Sequence, residues 1–192
     1  MPFALELRGL VKRFHAGVGS CRASLAVLRG IDLTLEPGEL VAVIGARGAG
    51  TSTLLLCAAG LLVPDAGDIA WFGDRRRIAA VERAHYIAAA TAPNPFKLAK
   101  ALSASSPRTA IVRGEPRILF VDAPRGLDAP ERTWLARRRS LGDAIVLATH
   151  NDAIVARDAD RSVHLQDGRL HPWERTSARV AEGAWRGAAR VR

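Results

Sequence analysis

The stretch "GARGAGTST", from Gly45 to Thr53, has the residue types and spacing of a phosphate-binding loop. Its glycines permit positive φ angles, so that backbone N–H groups can face an anion. A helix predicted to begin at Thr51 would add the partial positive charge of its N-terminus. The chemistry that this stretch predicts is therefore the binding of a phosphate group. The glycines concerned are Gly45, Gly48 and Gly50.

Thr51 stands where such loops place a lysine, which is followed by serine or threonine. A lysine there makes charge-assisted contacts with the β- and γ-phosphates, each worth about 1.5–3 kcal/mol. We therefore expect triphosphate binding to be weakened by about one to two orders of magnitude. Arg47 is the nearby cation, and we expect its position in the loop to direct it away from the phosphates. The hydroxyl of Ser52, supported by Thr53, can bind Mg²⁺.

Two further polar residues end apolar runs: Asp122 closes "RILFVD" and His150 closes "AIVLATH". Taken alone, the aspartate could be a helix cap or a turn former, and the histidine an ordinary residue at a strand end. A carboxylate after a buried strand that follows a glycine loop can reach the water shell of a metal ion. Paired with Ser52, Asp122 therefore favours a magnesium site.

The elements that must position these residues follow from the hydrophobic pattern. Alternating runs predict half-buried strands, and continuous apolar runs predict parallel strands covered on both faces. Asp167-Gly168 between two short alternating runs predicts a type I′ hairpin. This order predicts an α/β sandwich with a mainly parallel sheet. The predicted strands are 5–10, 31–35, 40–45, 68–73, 117–122 and 144–150, and the predicted helices are 51–62, 131–139 and 152–157.

The composition is that of a globular protein. The chain has 192 residues, of which 48% are hydrophobic and 24% charged, enough for one compact core. Its longest uncharged apolar run, 54–63, is too short to span a bilayer, and no secretory pattern opens the sequence. We therefore expect a cytoplasmic protein. Of the two cysteines, Cys57 falls in the helix after the loop and is predicted to be a small core residue.

The net charge of +9 comes almost entirely from arginine. A basic chain can bind nucleic acid or an anionic membrane. Because arginine and alanine are abundant along the whole sequence, we favour a coding bias, and we do not expect nucleic acid as a partner. The basic tail 172–192 is compatible with an amphipathic helix on an acidic partner or membrane surface, and equally with a frayed, solvated end.

The sequence as a whole resembles the ATP-binding cassette (ABC) ATPases from its start to about residue 171. The resemblance is carried by the order and spacing of "LVKRF", "VLRGIDLTLEPGELVAVIGARGAGTSTLL", "AAGLLVPDAGDIAWFG", "PRILFVDAPRGLD", "AIVLATHND" and "VHLQDGRL". It implies a P-loop NTPase three-layer sandwich with an antiparallel N-terminal β subdomain. The helical and signature region of the family is much reduced here, to about 75–113, and 75–106 reads as a poorly specified connection.

Matching the motifs residue by residue assigns expected roles. Phe14 falls where the family stacks the adenine, His150 where it places the switch histidine that contacts the γ-phosphate, and Asp128 in its D-loop. Ser52 and Asp122 match the magnesium positions. The resemblance thus implies ATP and Mg²⁺ as cofactors. The residues that match the phosphate loop are Gly45, Gly48, Ala49, Gly50, Thr51, Ser52 and Thr53.

The sequence departs from the family pattern at four places. Besides Thr51, Ala89 replaces the Q-loop glutamine, "LSASS" at 102–106 replaces the signature LSGGQ, and Ala123 replaces the catalytic glutamate. Loss of a group that polarises the attacking water removes about 10²–10⁴-fold of rate. We therefore expect weak ATP binding with little or no hydrolysis, and whether the chain is an enzyme stays open.

The resemblance also implies partners. The chain is expected to pair with another ABC ATPase subunit, in a hetero- or homodimer. The most concrete role is the inactive half of an asymmetric pair. Such a pair could work with a transmembrane permease subunit at the inner face of the membrane. Two alternatives remain at this point: a regulatory or interaction module that no longer binds nucleotide and contacts an acidic partner or nucleic acid, and a still-active ATPase with an unorthodox site.

Overall fold

The computed structural model describes residues 2–16, 23–76, 79–80, 83–88, 117–150 and 158–172. Two sheets and two whole helices lie within these ranges. The helices are α1 (Thr51–Ala58) and α2 (Ala129–Ser140). The strands are β1 (Leu5–Ala16), β2 (Ala23–Leu35), β3 (Leu40–Ile44), β4 (Ala66–Trp71), β5 (Ala84–Ala88), β6 (Ile118–Asp122), β7 (Ala144–Thr149), β8 (Arg161–Gln166) and β9 (Arg169–Pro172).

The larger sheet has the strand order β5-β6-β7-β3-β8-β9 and is parallel except for β9. Its central strands are apolar throughout because both faces are covered. In β6, for example, Phe120 belongs to the core on the α1 side, while Leu119 and Val121 pack with Leu135 of α2. The predicted mainly parallel sheet is confirmed.

The smaller sheet is antiparallel, with the order β2-β1-β4. Its buried side chains join those of α1 and of the parallel sheet in one cluster, so α1 lies between the two sheets. The antiparallel N-terminal subdomain that the resemblance implied is therefore present. The resemblance also implied a reduced helical region, and the residues of that region lie mostly outside the described ranges.

Two local predictions can be checked against backbone angles. Asp167 and Gly168 have φ angles of 50° and 74°, and they join β8 to β9 as the predicted type I′ turn. The prediction that α1 extends to residue 62 is wrong. Gly60 has φ 73° and donates to the Cys57 carbonyl, while Leu61 donates to that of Leu56, so a Schellman motif ends the helix at Ala58.

The interpretation of 75–106 as a poorly specified connection is also wrong in part, because β5 lies within it and pairs with β6 along its whole length. The predicted core role of Cys57 is confirmed. Its side chain is fully buried, and burial raises the pKa of the thiol to about 11. The helix predicted at 152–157 and the tail after 172 lie outside the described residues.

At the amino ends of the parallel strands, the buried carboxylate of Asp143 braces the sheet. It pairs with the Arg138 guanidinium and accepts from the Arg117 N–H at 2.9 Å. Burial raises its pKa. This brace lies at the end of β6 and β7 opposite to Asp122 and His150. One end of the sheet is therefore held by buried polar contacts, and the other end carries the candidate site residues.

Candidate functional site

An open cleft of about 460 Å³ lies at the carboxyl ends of β3, β6 and β7. Ligands of open parallel sheets bind at this edge, and the volume falls in the usual range of ligand pockets. The cleft brings together most of the site residues that the sequence predicts. It is lined by Val27, Arg47, Gly48, Gly50, Thr51, Ser52, Thr53, Asp122, Pro124 and His150.

The loop between β3 and α1 has the backbone conformation of an anion cradle. Gly48 and Gly50 have φ angles of 85° and 101°, which only glycine adopts easily. Gly50 is the N-cap of α1, no side chain caps the helix, and no acidic residue lies in its first turn. The first N–H groups of α1 are therefore left for a ligand, and an anion is the ligand that they prefer.

Thr51 brings no charge to this cradle. Its side chain is only 6% exposed, and its methyl carbon lies 2.9 Å from the point that a Cβ on Gly45 would occupy. The threonine thus packs back beneath the loop. The cation that the phosphate-loop pattern places at this position is missing from the cleft.

Arg47 is exposed and lines the cleft. That its side chain is directed away from bound phosphates stays a prediction. Among the described residues it has no hydrogen-bonding or ionic partner. Arg47 is therefore available to contribute positive charge to the cleft, although it stands four residues before the lysine position.

Asp122 and Ser52 both line the cleft, as the predicted magnesium site requires. The Asp122 carboxylate has a partner that the sequence did not reveal: the Tyr86 hydroxyl donates to its Oδ2 at 3.0 Å. Burial first, and then the charge and hydrogen bond of Asp122, raise the pKa of Tyr86 above its ordinary value. The phenol therefore stays protonated and acts as a donor.

His150 is tied to the phosphate loop. Its Nδ1 forms a hydrogen bond with the carbonyl oxygen of Gly45, and since a carbonyl only accepts, Nδ1 carries the proton. This bond fixes the orientation of the ring at the carboxyl end of β7 and leaves Nε2 as the other polar atom of the imidazole. His150 is exposed in the cleft, and its contact with a γ-phosphate stays a prediction.

Asp128 and Phe14 do not line the cleft. Asp128 caps α2: it accepts from the Glu131 N–H at 2.8 Å, and its own N–H donates to the Glu131 carboxylate at 2.9 Å. Phe14 lies on β1 with its side chain 42% exposed, and the Lys12 ammonium is 5.6 Å from the ring centroid. Their D-loop and adenine-stacking roles stay predictions.

Val27 is a cleft residue that the sequence gave no reason to expect. In the pairing of β1 with β2, Lys12 opposes Leu28 and Arg13 opposes Ala26, which leaves Val27 unpaired in a β-bulge. Bulges redirect side chains at functional sites. This one places a Val27 methyl carbon 2.5 Å from the point that a Cβ on Gly50 would take, so the bulge closes the cleft behind the loop.

Ala123, where the resemblance implies a glutamate, is 1% exposed and packs in the apolar cluster on the α2 face. Asp122 is thus the sole carboxylate among the described residues that line the cleft. The positions of the Q-loop glutamine, Ala89, and of the signature, 102–106, lie outside the described residues.

The residues present fit magnesium and a nucleotide phosphate together better than either alone. Within the described ranges, no group of three His, Cys, Asp or Glu side chains could hold a metal ion. Mg²⁺, however, is often bound by one or two protein oxygens plus the phosphates of its substrate. Ser52 and Asp122 provide such oxygens beside a loop whose free N–H groups suit the phosphates.

A parallel sheet with a glycine loop opening into a helix, and an aspartate on a neighbouring strand end, defines a P-loop nucleotide-binding protein. The ABC transporter family model matches residues 28–124, from the end of β2 past Asp122. A lipoprotein-releasing system ATP-binding protein LolD of Ruegeria pomeroyi is 31% identical, over 86% of this chain and 96% of its own. The chain belongs to the ABC transporter family of ATP-binding proteins.

A second LolD, from Gluconobacter oxydans, shows where the chain is shorter. It is 30% identical over 228 aligned positions, which cover 96% of its length and 88% of the 192 residues here. Since 88% of 192 is about 169, about 59 of the 228 positions have no residue in this chain. The chain therefore lacks internal segments that this relative has.

The solved structures agree on the fold. One described as the ATP-binding subunit of an ABC transporter superposes with a TM-score of 0.64 at 20% identity, covering 96% of this chain and 95% of its own. The predicted fold class is confirmed. Among the helices that the structure describes, none combines the length and apolar character needed to cross a bilayer.

Proposed function

We propose that this chain is a degenerate ATP-binding subunit of an ABC transport system, which binds Mg·ATP weakly and hydrolyses it slowly or not at all. The observation that carries the proposal is the composition of the cleft. It keeps the loop N–H groups, Ser52, Asp122 and His150, while Thr51 and Ala123 leave out the cation and the water-activating carboxylate.

Each retained group has a task in binding. The N–H groups at the start of α1 hold the phosphates, and Ser52 and Asp122 offer oxygens to magnesium or its water shell. When bound, Mg²⁺ neutralises phosphate charge. His150, fixed by its bond to the Gly45 carbonyl, lines the same cleft. Phe14 remains the proposed adenine contact and Asp128 the proposed D-loop residue.

The two losses act on different steps. A missing lysine removes contacts worth about 1.5–3 kcal/mol each, which lowers affinity by about one to two orders of magnitude and leaves a usable site. A missing general base lowers the rate by about 10²–10⁴-fold. Binding is therefore expected to survive better than turnover. Arg47 offsets part of the first loss if its guanidinium reaches the phosphates.

We further propose that the chain works in an asymmetric pair with an intact ABC ATPase subunit, at the inner face of a membrane that holds a permease subunit. Association with a transporter complex is supported by a neighbour of the same fold, described as CbiO1 of Clostridium perfringens, part of the ABC transporter complex CbiONQ. Because permease subunits dock on the family's helical subdomain, the shortened region of this chain favours an intact partner that makes most of that contact.

The test is an equilibrium titration of the full chain with a fluorescent ATP analogue, with and without Mg²⁺. We expect saturable binding that Mg²⁺ strengthens, and a loss of about tenfold or more in the Mg²⁺-dependent affinity for Asp122→Asn. The matched control is Asp68→Asn, which removes an exposed aspartate outside the cleft.

Absence of saturation up to about 10 mM nucleotide, a concentration that detects affinities far weaker than those of intact sites, would overturn the proposal. That result would favour the regulatory module that no longer binds nucleotide.

A further inference from the structure

The hydrogen bond between Tyr86 and Asp122 joins two neighbouring parallel strands just below the cleft. Pairing of β5 with β6 sets Tyr86 beside Phe120 and Ala88 beside Asp122. The phenol ring therefore runs along the sheet for two residues and delivers its hydroxyl to the carboxylate at the strand end. The bond links the core of the sheet to the floor of the site.

The base of this contact is rigid. The Tyr86 ring packs against the main apolar cluster, and its strand neighbour Phe120 is fully buried there. A side chain held by packing delivers its hydroxyl to one place, which is what orientation of a second group requires. Tyr86 itself does not line the cleft, so it touches a bound ligand only through Asp122.

Asp122 depends on this bond for its orientation. Within the described ranges, Tyr86 is the one side chain or backbone group that donates to the carboxylate. With Oδ2 engaged by the phenol, Oδ1 remains for the cleft. Outer partners of this kind fix the orientation of a metal-binding carboxylate and are worth about 10–100-fold in metal affinity.

We propose that Tyr86 is a positioning residue that aims the free oxygen of Asp122 at the divalent cation accompanying the nucleotide. This inference rests on the proposed function, since the cation enters the cleft with the nucleotide. Cation binding would then depend on Tyr86 as well as on the phosphate loop and Asp122.

The first experiment titrates Mg²⁺ at a fixed concentration of the fluorescent ATP analogue. For Tyr86→Phe, which keeps the ring, we expect the Mg²⁺ needed for half-saturation to rise about tenfold, while metal-free nucleotide affinity stays unchanged. Thr133→Val is the control, because it removes an exposed hydroxyl that bonds only the Ala129 carbonyl of α2. If the Mg²⁺ concentration needed for half-saturation is unchanged or lower in Tyr86→Phe, the inference is overturned.

The second experiment uses Tyr86 itself as the probe, since it is the one tyrosine in the sequence. Protein carrying tyrosine labelled with carbon-13 at Cζ gives a single resonance. Addition of Mg²⁺ to the nucleotide-bound wild type should shift it, and the shift should vanish in Asp122→Asn. A resonance that stays fixed when Mg²⁺ joins bound nucleotide overturns the role of Tyr86.

The two proposals fail differently. If the wild type binds no nucleotide, with or without Mg²⁺, the proposed function fails and the role of Tyr86 fails with it. If nucleotide binds and Tyr86→Phe shows the Mg²⁺ dependence of the wild type, the role of Tyr86 alone fails.

Discussion

Thr51→Lys is expected to tighten ATP binding by about 10- to 100-fold. The substitution puts an ammonium at the first residue of α1, beside the loop N–H groups and within the lining of the cleft. The threonine methyl that now packs beneath Gly45 is small, so its removal costs little compared with charge-assisted bonds to two phosphates. Isothermal calorimetry with Mg·ATP on both proteins measures the difference.

The matched control for length is Thr51→Met, whose side chain has nearly the reach of lysine without its charge. It should bind ATP no better than the wild type. Phosphate release by Thr51→Lys should stay near the wild-type rate, because Ala123 still provides no base. Equal ATP affinity for the lysine and methionine variants would contradict the view that the missing charge is what weakens the site.

Gly50→Ala is expected to abolish nucleotide binding and to destabilise the fold. Gly48→Ala should weaken binding and lower the stability only mildly. Both glycines have positive φ, which costs an alanine about 1–2 kcal/mol. A Cβ at Gly48 meets open space, but one at Gly50 would lie 2.5 Å from a methyl carbon of Val27. We expect this crowding to add about 1–3 kcal/mol and to shift the loop. Chemical denaturation and the ATP titration report the two effects.

A second substitution separates the crowding from the strain. Val27→Ala in the Gly50→Ala background removes the clashing methyl group and should recover part of the lost stability, but not the part due to the φ angle. If Gly48→Ala and Gly50→Ala are equally destabilised, contact between the β2 bulge and the loop is not what restricts Gly50 to glycine.

The sequence predicted the parts of the fold whose pattern has one physical meaning. Continuous apolar runs such as β6 and β7 must be covered on both faces, and Asp167-Gly168 suits one hairpin turn. The end of α1 was missed because "AAGLL" continues the apolar pattern past Gly60. The helix ends there through the αL conformation of Gly60, and the apolar pattern does not reveal that conformation. β5 was missed because its five residues carry a histidine and a tyrosine among alanines, without a clean period.

The site shows the same division. The loop glycines and Ser52 were predicted from the glycine-loop pattern, Asp122 from its place after a buried strand, and His150 from the family resemblance. The structure places Gly48, Gly50, Ser52, Asp122 and His150 in one cleft. Tyr86 was missed because its role depends on the register between β5 and β6, which local spacing does not fix. Val27 was missed because a bulge, and not the alternation of β2, turns it toward the loop.

On the proposed function, this division explains how nucleotide binding can persist without efficient hydrolysis. Backbone N–H groups depend on the glycines and on the start of α1, and they persist as long as the loop keeps its shape. The lysine and the glutamate are single side chains, and the substitutions to Thr51 and Ala123 fit into the packed interior beside Gly45 and α2. Losing them leaves the loop and the sheet intact.

We propose that this cleft holds Mg·ATP but hydrolyses it slowly or not at all. The most direct measurement is steady-state phosphate release by the full chain at a Mg·ATP concentration shown by calorimetry to saturate it, beside an intact ABC ATP-binding subunit under the same conditions. We expect a rate per occupied site about 10²–10⁴-fold below that of the intact subunit. A rate equal to that of the intact subunit would contradict it.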